Sequence, residues 1–214
     1  MDEDFSIISS KTRQEKIKNF FIENKIKLIS LLLIIILSLV CFFGYEEIKK
    51  RKQISISNDY NLILIEFDNI NKDIATNKLI DLVNKKDPTY SPLSLYFIID
   101  NKLINDIEQI NVLFDVLIEE TPLEKEIKNL VILKKSLLNA DNYDEGKMLT
   151  ILNPLINSES VWQSHALHLM AEFFYDKGEK AKAKEFFNKI VNLSKPNPDI
   201  KIQAQKRLNR DLSE

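Results

Sequence analysis

Between Leu28 and Tyr45 the chain carries no charged residue, and Ser30 and Ser38 are the only hydroxyl side chains before Tyr45. Eighteen helical residues extend about 27 Å, close to the hydrocarbon thickness of a bilayer at about 30 Å. Lys25 and Lys27 before the run, and Lys49, Lys50, Arg51 and Lys52 after it, can place their charges among headgroups while their stems stay in apolar surroundings. Tyr45 stands where an interfacial aromatic belongs. The run is therefore read as one transmembrane helix over residues 28–45. A cleaved signal peptide fits poorly, because the apolar run exceeds the usual length of about 7–15 residues and no small-x-small cleavage site follows. A lipoprotein signal at Cys41 fits poorly too, because Val40 stands where that signal needs a small side chain. Cys41 is the only cysteine, so the chain has no internal disulfide and no Cys-rich metal site.

Charge alone leaves the orientation open. Within fifteen residues of the run there are five Lys/Arg before it (Arg13, Lys16, Lys18, Lys25, Lys27) and four after it, nearly neutral for a positive-inside bias. The net charge is −2, with acids and bases interspersed. That is not the footprint of a nucleic-acid binder.

The remainder reads as helical. Three glycines and six prolines are few for a fold that needs many turns, and suit helices joined by short connections. Residues 1–10 are an acidic tail. Residues 12–27 form an amphipathic helix, with Ile17, Phe20, Phe21 and Ile26 largely on one stripe, lying at the lipid interface before the span. Residues 1–27 thus make the leader, 28–45 the span, 46–72 a connecting helix and 73–214 a helical domain.

Within that domain helical runs come in pairs: 91–101 with 106–120, 123–138 with 145–156, and 160–176 with 180–194. A run over 73–86 precedes them and a helix over 199–212 closes the chain. Ala75, Ile110, Gly146 and Ala183, taken as equivalent, lie 35, 36 and 37 residues apart. A period near 34 with two helices per unit marks a tetratricopeptide repeat. Ala171, Phe174, Gly178, Ala183 and Phe187 occupy the small, aromatic, turn, small and aromatic positions of such a unit, where small residues let helices approach and aromatics fill the gap to the next hairpin. Pro88, Pro122 and Pro196 stand at unit ends.

The chain resembles the bacterial inner-membrane tetratricopeptide-like proteins typified by the ancillary subunit of the Sec translocon, in their alphaproteobacterial branch. The likeness runs over nearly all the chain after Thr12. It is carried by KTRQEKIKNFFIENKIK before the span, by NADNYDEGKMLTILNPLINSESVWQSHALHLMAEFFYDKGEKAKAKEFFNKI in the repeats and by IKIQAQKRL near the end. It implies an all-α chain: one N-terminal transmembrane helix and then a tetratricopeptide-like α-solenoid. It also implies a cytoplasmic N-terminus, a periplasmic domain, packing of Trp162 between hairpins, and no enzymatic activity. The implied partners are envelope or secreted proteins, the Sec translocon among them, together with the lipid bilayer.

No Gly-rich phosphate loop, nucleophile elbow or metalloprotease signature occurs, and no cofactor or small-molecule substrate is called for. His165, His168 and Glu172 lie at spacings of three and four on one helix face. Such a triplet can bind a transition metal, and equally makes an ordinary solvated face. In the repeat register, His165, His168, Glu172, Tyr175 and Asp176 fall at first-helix positions that line the concave groove, with Lys128 and Lys135 at matching positions one unit earlier. That groove is read as a protein-binding surface for an extended peptide. Two rivals stand beside it: a scaffold acting through its span, and a metal-dependent envelope enzyme using His165, His168 and Glu172.

Overall fold

The computed structural model describes residues 18–68 and 71–212. The acidic tail and the first part of the amphipathic leader, through Ile17, lie outside the described residues. Every regular element among the described residues is helical. The chain divides into two compact units, the first ending at Ser55 and the second starting at Ile56.

Among its described residues the first unit is helical and has no buried side chain. Residues 18–23 are helical and a turn follows at Asn24, whose side-chain amide donates to the Phe20 carbonyl at 3.0 Å. Helix α1 (Lys25–Glu66) then begins. It is long and apolar enough to cross a membrane, and its most apolar stretch is entirely unburied. Phe20, Phe21 and Ile26 of the leader are exposed as well. A water-facing helix would bear polar residues on at least one side. This one carries no charged residue from Leu28 to Tyr45, and is apolar on every side over that length.

The second unit begins within the last turns of α1, where Ile56 and Ile63 are buried. It continues through α2 (Lys72–Asn84), α3 (Tyr90–Asp100), α4 (Ile107–Asp115), α5 (Lys125–Leu138), α6 (Glu145–Ile156), α7 (Gln163–Asp176), α8 (Lys180–Val191) and α9 (Pro198–Arg210). Local chemistry sets the starts. Asn71, Asp106, Asp144 and Asn197 each accept a backbone N–H of the first turn of α2, α4, α6 and α9 at 2.7–3.1 Å, relieving donors that no helical carbonyl can reach. Gly178 ends α7 at φ 76°. The Gly178 and Glu179 N–H groups return to the Tyr175 and Phe174 carbonyls, both at 2.9 Å, a glycine-dependent C-terminal cap. Helix α4 runs on into a π-helical turn, Val116–Glu120, closed where the Thr121 hydroxyl donates to the Val116 carbonyl at 3.0 Å. Pro122 follows.

The most extensive packing joins α7 to α8, α2 to α3 and α8 to α9. Helix α3 leans chiefly on α2 rather than on the α4 that sequence pairing assigned to it. All the substantial helix–helix packing joins elements at most two apart, counting the π turn as part of α4.

The buried positions repeat. In the second helices, Leu79, Leu113, Met148 and Ala183 are all buried, 34, 35 and 35 residues apart, and so are Val83, Leu117, Leu152 and Phe187. The register drawn from small residues is therefore displaced. Gly146 is exposed, and a Cβ there would meet only Asp144 Oδ1 at 3.4 Å; the buried position is Met148. In the first helices Val131, Ile132, Lys135, Ser136 and Asn139 match Ala166, Leu167, Met170, Ala171 and Phe174 at a constant spacing of 35, all buried. Two apolar clusters result, one from Ile56 to Val131 and one from Ile132 to Leu212, with Ile118 packed against both.

Candidate functional site

Helix α7 carries most of the residues singled out from sequence. Its i, i+3, i+4 spacing sets His165, His168, Glu172 and Tyr175 along one side. This side is covered. Arg207 of α9 donates from Nε to Glu172 Oε1 at 2.9 Å and from Nη2 to Oε2 at 2.5 Å, a two-pronged match of planar guanidinium to carboxylate. Its third nitrogen, Nη1, donates to Asp211 Oδ2 at 2.9 Å. The same guanidinium lies 4.6 Å above the Tyr175 ring, within cation–π range. Arg210 donates to Asp211 Oδ1 at 2.6 Å. Arg210 and Arg207 together hold the Asp211 carboxyl well below the ordinary range, and Glu172 and Asp211 push Arg207 further up.

The two histidines lie beside this clasp. His168 Nε2 is 3.6 Å from Glu172 Oε1, too long for a hydrogen bond, and its ring meets Phe187 edge-on at 5.8 Å. Burial lowers its pKa; Arg207 and His165 lower it further, while Glu172 opposes them. His165 is lowered by burial. Its Nδ1 is buried with no partner among the described residues, and the Trp162 ring stands 5.3 Å away. Burial thus biases both imidazoles towards the neutral form. No group of three or more His, Cys, Asp and Glu side chains among the described residues is placed to hold a metal ion. Both Glu172 oxygens already face Arg207.

The lysines go elsewhere. Lys135 is buried and its Nζ reaches Asp115 Oδ1 of α4 at 2.5 Å. One turn on, Asn139 and Asn111 exchange amide hydrogen bonds of 3.0 and 2.7 Å, both buried. Lys135 is thus part of the α4–α5 joint. Lys128 is half-buried and Asp176 exposed; neither has a polar partner among the described residues. A cleft of about 500 Å³ opens on another side, lined by Ile156, Asn157, Gln163, Leu167, Asn188 and Lys189 among others. None of the seven residues selected from sequence lines it.

The groups that sequence reasoning passed over are the partners: Arg207, Asp211, Asp115, Asn111 and Glu126. Glu126 accepts the Ser160 hydroxyl at 2.6 Å, and its backbone carbonyl accepts the Trp162 indole N–H at 3.0 Å. One signal could have found several of them. Arg207 to Glu172, Lys182 to Glu145, Ser160 to Glu126 and Tyr90 to Ser57 are separated by 35, 37, 34 and 33 residues. Each side chain binds about one repeat length back along the chain.

No family model, no curated protein and no solved structure matches this chain.

Proposed function

We propose that this is a membrane-anchored helical-repeat protein whose domain binds other proteins of the bacterial envelope. Helix α1 crosses the inner membrane once, the N-terminus is cytoplasmic, and the repeats stand in the periplasm as a tetratricopeptide-like solenoid. The role is ancillary or chaperone-like, in secretion or envelope assembly, with the Sec translocon as one candidate partner.

The observation that carries this reading is the spacing of buried positions at 34–35 residues, together with packing confined to near neighbours in the chain. Repeat proteins have this one-dimensional organisation, and they work by presenting a long surface to a partner. The bare apolar length of α1 supports the anchor. On the face predicted to bind, Lys128 and Asp176 have no side-chain partner among the described residues, whereas Glu172 and Lys135 are paired internally and the unpartnered His165 Nδ1 is buried. Lys128 and Asp176 are therefore the contacts expected to meet a partner.

In-cell photocrosslinking tests this, with the probe placed at Lys128 or Asp176 and, as a control, at exposed Gln203. Defined adducts at the first two positions and none at the control are expected. Equal labelling at all three would sink the binding face. A phosphatase fused after Glu214 should be active; an inactive fusion beside an active cytoplasmic reporter would reverse the topology.

A further inference from the structure

The four consecutive basic residues at 49–52 form a cationic collar around α1. Four residues exceed one helical turn of 3.6, so their side chains leave the helix on every side. All four are exposed. Arg51 is partly neutralised by Glu47, which accepts its Nε at 2.7 Å. Lys49, Lys50 and Lys52 have no ion-pair partner among the described residues. Glu46, the remaining acid of this segment, forms no ion pair with any of them.

Position gives the collar its meaning. Lys49 lies four residues beyond Tyr45, about 6 Å along the axis, and Lys52 about 10 Å. The headgroup layer on each side of a bilayer is about 5–7 Å thick. If the apolar run fills the hydrocarbon, Lys49 and Lys50 lie within or at the edge of this layer, and Lys52, anchored beyond it, reaches back towards the phosphates with its long side chain. Three unneutralised cations spread around the helix match phospholipids whose headgroups carry net negative charge. Zwitterionic lipids offer phosphate but cancel it with their own ammonium group.

We propose that Lys49, Lys50 and Lys52 bind a shell of anionic phospholipid around α1 on the side of the bilayer that faces the folded domain. This rests on the reading of α1 as a membrane span. A juxtamembrane lysine near a charged bilayer surface is worth a preference on the order of fivefold.

The test uses the full chain in phosphatidylcholine nanodiscs doped with spin-labelled phosphatidylglycerol or, in parallel, spin-labelled phosphatidylcholine. The readout is the motionally restricted fraction of each probe. The natural chain should restrict the anionic probe about fivefold more than the zwitterionic one, and molar salt should abolish the difference. A triple variant, Lys49→Gln with Lys50→Gln and Lys52→Gln, should incorporate equally and lose the preference. Equal restriction of both probes by the natural chain overturns the proposal, and so does a preference that survives in the triple variant, which would place it at Lys25 and Lys27. In either case an incorporated chain leaves the span reading standing. A chain that fails to enter nanodiscs, and that alkaline carbonate strips from vesicles, removes the span and the collar together.

Discussion

Arg207 closes on Glu172 with two hydrogen bonds across 35 residues of sequence, and so fastens α9 to α7. The pair is mostly shielded, with 28% and 24% of the two side chains exposed. It converts a face that looked like an open polar groove into the seat of the last helix.

Loss of this pair should free α9 before the rest of the domain. Arg207→Ala is expected to cost about 1–2 kcal/mol, a charge-assisted pair discounted for its partial exposure. Hydrogen exchange on the detergent-solubilised chain should show residues 198–212 losing protection while α5 and α6 keep theirs. Arg207→Lys should recover little, because an ammonium cannot span both oxygens. Uniform loss of protection would mean that α9 is not fastened separately.

Two substitutions separate the alternative registers. Ala183 of α8 is fully buried, so Ala183→Leu should overpack its surroundings at a cost of about 1–3 kcal/mol. A Cβ added at Gly146 would meet only the Asp144 side chain, at 3.4 Å, an ordinary contact. Gly146→Ala should hold or raise the melting temperature, since a helical glycine costs up to about 1 kcal/mol relative to alanine. If Gly146→Ala is instead the more damaging of the two, the buried register is wrong.

Asn139 occupies the place that Phe174 holds one unit later, and it is buried against Asn111. Asn139→Ala should leave the Asn111 amide unpaired, at a cost of about 1–3 kcal/mol beyond the packing lost. The double replacement Asn111→Leu with Asn139→Leu should cost less than the two single replacements added together. Chemical denaturation of all three variants closes the cycle; strict additivity would show that the amides do not interact.

Acid should weaken the α7 region. His165 and His168 both have folded pKa values below the ordinary one, so the unfolded chain binds protons more readily. Stability is then unaffected above about pH 6.5 and falls as pH drops from there towards the lowered folded values. Unfolding followed from about pH 7.5 to about pH 5.5 should show this slope. His165→Gln with His168→Gln should flatten it. A slope unchanged in the double variant would assign the acid response to other groups.

Several features were legible without coordinates because they are local. The apolar length of residues 28–45 is a one-dimensional property, and it appears as the exposed stretch of α1. Asn71, Asp106, Asp144, Gly178 and Asn197 act on backbone groups within a few residues of themselves, so helix ends can be read from them. The spacings read from sequence are 35, 36 and 37 residues through Ala75, Ile110, Gly146 and Ala183, whereas buried positions recur at 34, 35 and 35 through Leu79, Leu113, Met148 and Ala183.

Which face meets which neighbour was not legible. Residue size misplaced the register at Gly146, because burial follows from the helices on either side and not from the residue itself. Lys135 and Glu172 read as solvent-facing because charge is costly to bury alone; each is buried or half-buried because a partner from another helix, Asp115 or Arg207, arrives to compensate it. The sequence by itself determined the helices and most of their ends, set by interactions within a few residues. Only the tertiary structure decided which polar groups hold helices together, because that depends on side chains 20, 28 or 35 residues apart being brought to hydrogen-bonding distance.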